Sequence, residues 1–566
     1  MYKFTKLFVF TVVISTSNFS FGQNRYVSTT GNDASNNCTS MGSPCKTINA
    51  AVTSAIAGDS ILIAPGSYAL SGTLGLSKSD LKINAQNPNS KPIITSDASD
   101  VITLGAPNIS INNIIIKMGL TSTTGLRGIV GASNFSGINI SDCEFYSTNP
   151  GGFLSTGMVF NSYAILLYEP SSQVINITIA NNIIGIANTG NDVFGRGIGL
   201  GFNAGSTAGP GGLLDGNDIS AYYPIQAIGL SSDITISNNH LKGMTMFNST
   251  KNNAIATFSN NVLDAVADQY AANIFTLLDI RATNTGSVVV SHNTFNNFLT
   301  TAIFSMASEN VSVVGNKFTP SPNADQFITI VANTKLMTTG TQNNTYSDEM
   351  TITGNTFYSG VANKGTAIVF ADHYGQNTPA FATAVIGGPI ENDKNIFDTL
   401  LGQFIQLDSL SGSSDQVNIW NPSGFTGDHT PATTMKPVTQ NVIALSVNNH
   451  YGFNTVAAIE NKNIDSLDVD GLGKVVLGYV SPAGIAQNNI VSATLYPNPV
   501  SDNLNIVLSE GTDEAAVQII DVLGNVIYSN IIHSKETVNV DSYNAGVYFV
   551  RLTSNKQTYS TRIIKR

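Results

Sequence analysis

The chain has 566 residues and a formal net charge of −11; 42% are hydrophobic, only 11% are charged, and there are 50 glycines and one tryptophan. The acidic balance, with no clustered basic patch, excludes nucleic acid as a partner, because phosphate binding needs grouped Lys and Arg. Low charge with abundant Gly, Asn, Ser and Thr suits an extracellular β protein, whose many turns consume those residues.

Lys3 and Lys6 precede an apolar run at 7–14, and Ser20-Phe21-Gly22 follows before Gln23. This pattern predicts a secretory signal peptide at 1–22. The run is too short to cross a membrane and no later stretch is long enough, so no membrane span is expected. Residues 26–31 read as an opening strand and turn. Cys38 and Cys45 share a Gly/Ser/Asn-rich loop, and in an oxidising compartment they are expected to form a local disulfide. Within 47–57, Ile48, Ala51, Val52 and Ala55 share one helical face. A short amphipathic helix there would cap the open edge of a stacked β structure. Gly58-Asp59 ends it, 61–64 reads as a strand, and Pro65-Gly66 turns the chain.

Further on, the phrase apolar-x-x-Asn-x-apolar recurs. Its slots hold Asn182, Asn217, Asn239, Asn261, Asn293, Asn316 and Asn355, and an earlier copy between Ile140 and Phe145 carries Cys143 instead. Successive slots are 39, 35, 22, 22, 32, 23 and 39 residues apart. That is a base period of about 22 with insertions, the signature of a stacked repeat. The short β-branched flanks read as strands. Asn suits the corner between them because it tolerates the left-handed backbone. Stacked coil upon coil, the amides would lie about 4.8 Å apart and hydrogen-bond along the stack. The expected fold is all-β, a right-handed parallel β-helix of about 14 coils and roughly 65 Å, followed by a small C-terminal β-sandwich. Cys143 reads as a small buried filler, with no local His or basic residue to activate it.

Tyr26-Val27-Ser28, Gly31-Asn32-Asp33, residues 44–51 and the stretch from Gly58-Asp59-Ser60-Ile61 to Gly66-Ser67-Tyr68 resemble the opening of secreted pectin-lyase-like β-helix proteins. That superfamily holds polysaccharide lyases, other carbohydrate-active enzymes and proteins with no known catalysis. Asn448-Asn449-His450-Tyr451-Gly452, Leu472-Gly473-Lys474-Val475 and Tyr479-Val480-Ser481-Pro482 resemble its closing segment, which makes His450 a packing residue of the last coil. The resemblance implies a β-helix domain at 23–482, and a linker follows at 483–493.

Residues 494–566 differ in kind. Tyr496-Pro497-Asn498-Pro499, residues 517–521 with Gly524, Ala545-Gly546-Val547-Tyr548 and the basic ending 562–566 closely resemble the C-terminal sorting domain of the type IX secretion system of Bacteroidetes. The alternating runs 504–508, 517–520 and 548–552 read as antiparallel strands. The resemblance implies passage across the outer membrane by that machinery, and a protein secreted or held at the outer cell surface.

Phased from the slots, the strands just before and after each slot are the second and third of a coil. The first lies upstream, at 165–167, 198–200, 244–246, 278–280, 303–305, 328–330 and 368–370. Insertions at 146–162, 202–212, 263–273 and 332–349 then flank the first strand and would wall a groove. The outward positions of this face are expected to include Tyr168, Gly199, Thr245, Phe247, Asp279, Arg281, Phe304 and Thr329. Among them Tyr168, Phe247 and Phe304 would offer aromatic faces to sugar rings.

A uronate lyase needs a basic group, commonly Arg or Lys, and positive charge, often calcium, against the enolate-like intermediate. Arg281 and Asp279, two apart on one strand, face the same side. They are candidates for base and orienting acid, and a surface salt bridge is the plainer reading. Asp372 and His373 form a second catalytic pair, since His beside a carboxylate acts near neutral pH; an exposed turn is the plainer reading. Glu169 and Asp372 lie several coils from Asp279, so no metal cluster is legible, and calcium stays open as a cofactor. Three functions stand: a β-helix that binds polysaccharide in the groove, a polysaccharide lyase acting on an acidic glycan, and a surface adhesin or structural spacer.

Overall fold

Period-two alternation of apolar and polar residues in short segments dictates strands with one face turned inward, and stacking those segments coil upon coil builds the fold. The computed structural model describes residues 22–566 except 99, 119–125, 132–134, 148–161, 168–175, 186–193, 202–210, 231, 249–253, 266–275, 282–285, 299–300, 307, 309, 323, 325, 332, 336–343, 372–381, 389–390, 409–441, 448, 450–457, 459–460, 465–473, 479–492, 499, 509–513, 522–524 and 555–556. The expected signal peptide, most of the four groove insertions, Tyr168, Glu169, Asp372, His373 and His450 lie outside the described residues.

The chain winds a right-handed parallel β-helix with three sheet faces. The second sheet starts at Asn24–Val27, continues through Ser60–Ile63 and Lys82–Ala85, and ends at Lys474–Gly478. Its inner ladder places Ile83, Ile111, Ile140, Ile179, Leu214, Ile236, Phe258, Val290, Val313 and Ile352 in register. All belong to one continuous core, each stabilising it by about 1.5–3 kcal/mol. On the third sheet Phe295, Phe318, Phe357 and Phe397 stack with centroids 5.0, 5.0 and 5.1 Å apart.

Between the second and third sheets runs the asparagine ladder. Asn261 is typical: its Oδ1 accepts from both the backbone N–H and the Nδ2 of Asn239, each at 2.9 Å. Its Nδ2 donates to Ile236 O at 2.9 Å and to Asn293 Oδ1 at 3.0 Å. The ladder runs from Asn182 to Asn355 as expected and continues to Asn395 and Asn449. Cys143 ends it upstream, its N–H donating to Asn182 Oδ1 at 3.0 Å. Burial pushes the Cys143 thiol up to about 12, which suits an inert filler.

One expectation needs correcting. The left-handed residue is not the ladder asparagine but the one before it: Asn181, Gly216, Asn238, Asn260, His292, Gly315 and Gly354 all have φ between 54° and 66°. The preceding residue makes the bend, and the ladder side chain turns inward to satisfy the backbone that the bend exposes. The same pair occurs upstream as Asn113-Ile114 and Asp142-Cys143, with φ of 56° and 54° at the first member.

At the N-terminus Thr47 caps the helix Ile48–Ser54, accepting from Ala50 N–H, and Ile48, Ala51 and Val52 are its buried face. Cys38 and Cys45 are disulfide-bonded. Beneath them Asp59, fully buried, accepts from Gln23 N–H at 2.8 Å, Ile56 N–H at 3.0 Å and the Arg25 guanidinium. Burial alone would raise the Asp59 carboxyl, but these donors and the Arg25 charge outweigh it and hold the group below its usual 3.8.

The C-terminal residues form a separate antiparallel fold. Ala493–Tyr496, Asn503–Leu508 and Lys535–Asn539 make one sheet; Val526–Ile532, Ala515–Ile520, Gly546–Ser554 and Gln557–Lys565 make the other, in that spatial order. Leu504, Ile506, Val517, Ile519, Val538, Val550 and Leu552 pack between them in a core of their own.

Asn261→Leu orphans several buried polar groups at about 1–3 kcal/mol each, so urea unfolding should show a loss of about 3–5 kcal/mol. Asn260→Gly, at the left-handed position, should stay within about 1 kcal/mol of wild type. Because the Asp59 carboxyl is depressed on folding, its stabilisation is present above the unfolded value and is lost as pH falls through the folded one. Acidification below the usual carboxylate range should therefore loosen the N-terminal cap in hydrogen exchange, and Asp59→Asn should remove its share of that dependence.

Candidate functional site

The first sheet carries the candidate site because its strands bring charged residues from distant parts of the chain onto one outer face. Its ladder reads Val130, Leu166, Gly199, Gln226, Met246, Asp279, Phe304, Thr329, Val369 and Gln406 in register. Asp279, Gly199, Phe304 and Thr329 thus fall where the phasing put them.

Phe247 and Thr245 do not. Phe247 is in register with Ala227 and Ile280, is fully buried in the interior core and packs edge-on against Phe258 at 5.8 Å. The strand is Thr245–Asn248 rather than 244–246, so Met246 takes the outward position and Phe247 the inward one. A one-residue slip reverses every side chain. The strand before it, Asp218–Ile228, runs without a break from the third sheet into the first sheet of the next coil and has no counterpart in the expected set. Phe304 is on the outer ladder but only 2% exposed, so its ring is enclosed rather than offered to solvent.

Asp279 and Arg281 are joined as a fork. Arg281 Nε lies 2.8 and 3.0 Å from the Asp279 oxygens, and Nη2 lies 2.6 Å from Oδ2. The Asp279 side chain is 3% exposed and that of Arg281 15%. The carboxylate is sunk into the face, and the guanidinium above it retains some contact with solvent.

A second set of groups lines the start of the same strands, and none was expected. Asp100, Arg127, Tyr163, Arg196 and Tyr223 occupy one ladder in that order. Arg127 makes a bidentate pair with Asp100 at 2.6 and 2.9 Å. The Arg196 guanidinium lies between two rings, 4.9 Å from the Tyr163 centroid and 5.8 Å from that of Tyr223. Gly199 makes room for this stack: a Cβ there would come 2.6 Å from Tyr163 Cε1. The alternation Phe194-Gly195-Arg196-Gly197-Ile198-Gly199 was the available signal, since glycines flanking an arginine in a strand mark close approach of other groups.

Burial pushes the tyrosine hydroxyls upward, Tyr222 to about 12 and Tyr223 well above its usual value. The cations near Tyr223 only partly oppose this. Tyr163, Tyr222 and Tyr223 stay neutral, and Tyr163 and Tyr223 act through their rings. Among the described residues no three His, Cys, Asp or Glu side chains converge as a metal site. Asp279 is occupied by Arg281, so the described residues of this face do not fit a calcium ion. Elsewhere, on the third sheet, His240 bridges Asp264 at 2.6 Å and Asp218 at 3.5 Å on a partly exposed surface.

Residues 494–566 match the family model of the secretion system C-terminal sorting domain, which makes this a secreted or outer cell-surface protein served by a secretion machinery. Among the described residues no helix is long and apolar enough to cross a membrane. No curated protein matches the chain. Among solved structures, a lacto-N-biosidase from Eubacterium ramulus is similar at 12% identity and TM-score 0.40, over 76% of this chain and 68% of that one. A rhamnogalacturonan lyase is similar at 14% identity and TM-score 0.32, over 80% of this chain and 99% of that one. The tailspike of an Acinetobacter baumannii phage is similar at 10% identity and TM-score 0.32, over 91% and 68%.

Arg196→Met should cost about 2–4 kcal/mol, from two desolvated cation–π contacts of up to about 2 each. The Tyr163 hydroxyl has no hydrogen-bond partner among the described residues, so Tyr163→Phe should be neutral or slightly stabilising. Urea midpoints of the two variants against wild type check both.

Proposed function

We propose that the protein binds a carboxylate-bearing polysaccharide at the outer face of the first sheet, with Arg281 as the recognition cation and Asp279 as its positioning residue. The observation that carries this reading is the fork itself. A partly exposed guanidinium is held in one orientation by a carboxylate sunk into an otherwise enclosed face. Arginine held in a plane suits a second carboxylate better than a lysine would, because its donors are pre-organised. An acidic glycan supplies such groups at every uronate.

The same geometry weighs against a lyase that uses Arg281 as its base. Nε and Nη2 both face Asp279, so the group serves as a fixed positive charge rather than as a proton acceptor. Asp372 and His373, outside the described residues, remain a proposal for general acid–base work.

The test is affinity electrophoresis of the full chain against uronate and neutral polysaccharides, with ultraviolet absorbance of each mixture followed for unsaturated product. Retention by a uronate polymer, weakened by salt, is expected. Arg281→Ala should weaken it roughly 10–100-fold, the worth of a charge-assisted hydrogen bond at about 1.5–3 kcal/mol. Retention unchanged in an Arg281→Ala variant with wild-type melting would sink the site. Unsaturated product would convert the reading to a lyase, and no retention on any glycan would leave the spacer.

A further inference from the structure

A β-sandwich of two open sheets has four edges, and each unpaired edge invites another strand unless it is blocked. In the C-terminal domain three are blocked. Ala493–Tyr496 runs directly into Pro497 and Pro499. Lys535–Asn539 carries Lys535 and Glu536. Gln557–Lys565 carries Arg562 and Lys565 and is partly closed by a bridge from Val500 to Lys565.

The fourth edge is bare. Val526–Ile532, sequence VIYSNII, is seven residues long with no charge and no proline. It pairs with Ala515–Ile520 on one side only; among the described residues nothing pairs with the other. Tyr528 and Ile532 point into the core. Ile531 is 57% exposed, Val526 50% and Ile527 39%. Farther across the same sheet, on its third and fourth strands, Phe549 and Ile564 are exposed beside Arg551 and Arg562. A long, uncharged, apolar edge on a soluble domain marks a docking site, and the contrast with the other three edges argues that this one is left open for use.

We propose that Val526–Ile532 is the docking edge of the sorting domain, and that its occupant is an uncharged, β-branched or aromatic strand of the secretion apparatus, which adds to the four-stranded sheet. The match of residues 494–566 to a sorting domain says what the domain has to meet. Main-chain pairing supplies the affinity, and Val526, Ile527 and Ile531 on the edge strand itself supply the apolar side-chain contacts. A charged partner strand is disfavoured, since this edge offers it no counter-charge. A second copy of the chain pairing edge to edge is the competing occupant.

The test uses the full chain expressed in a bacterium that has this secretion system, with the chain in the medium and at the cell surface measured against the chain retained inside. Ser529→Lys puts a blocking charge on the edge without removing any apolar contact, and Ile531→Lys does both. Both should abolish export while melting as wild type. Val385→Lys, at a position 44% exposed on the β-helix, should export normally. If Ile531→Lys does not fold, Ser529→Lys carries the test, because Ser529 is exposed. Normal export of a folded Ser529→Lys variant overturns the proposal. Sedimentation of purified wild type as a dimer that Ser529→Lys dissociates, with export intact, overturns it in favour of self-pairing.

Discussion

The constraint on which the rest depends is the hydrogen-bond satisfaction of one buried corner. A backbone that turns sharply between two strands leaves N–H and C=O groups without ladder partners, and burying them unpaired costs several kcal/mol per coil. A single asparagine solves this in each coil. Its oxygen takes two donors from the coil before, and its nitrogen serves a carbonyl and the next amide. Glutamine is a methylene too long, and aspartate has no donor. Because every amide depends on its neighbours, the corner tolerates no insertion. Variation in coil length is driven to the other corners, and the strands that follow are held in register.

That frame leaves three outer faces with different chemistry. The second sheet shows the solvent mainly small and uncharged residues, such as Thr178, Thr235, Thr257 and Thr351. The third carries paired groups, including Lys91 with Glu144 at 2.8 Å and the His240 cluster. On the first, the charges sink inward beside rings. Low dielectric strengthens their interactions there, so geometry counts for more on that face.

The fold was legible because its signal is repeated. The asparagine slots, the helix at Ile48 and the paired cysteines each rest on local chemistry, and the sorting domain on a dense set of motifs. The site was legible only where it, too, is local. Asp279 and Arg281 stand two apart on one strand, and alternation alone puts them on one side. Tyr163, Arg196 and Tyr223 meet across coils at separations of 33 and 27 residues, and nothing in the spacing announces which rings will flank the arginine. Phe247 failed for a related reason. Its strand is Thr245–Asn248 rather than 244–246, and a single step along a strand exchanges core for surface.

The neighbours of the Asp279–Arg281 fork show what packing alone asks for at that rung. A buried ion pair is poor stabilising material, because desolvation offsets most of the Coulomb gain and apolar residues of similar volume do as well or better. The same ladder shows that the fold accepts such residues: Val130, Leu166, Met246 and Val369 occupy equivalent places, all buried. A charged fork at one rung of a ladder whose other rungs are uncharged is therefore not demanded by packing. Nor is it a surface pair of small consequence, since Asp279 is almost wholly enclosed. What the fork supplies that a valine cannot is an ion pair of fixed orientation, and the binding proposed for this face would use its arginine.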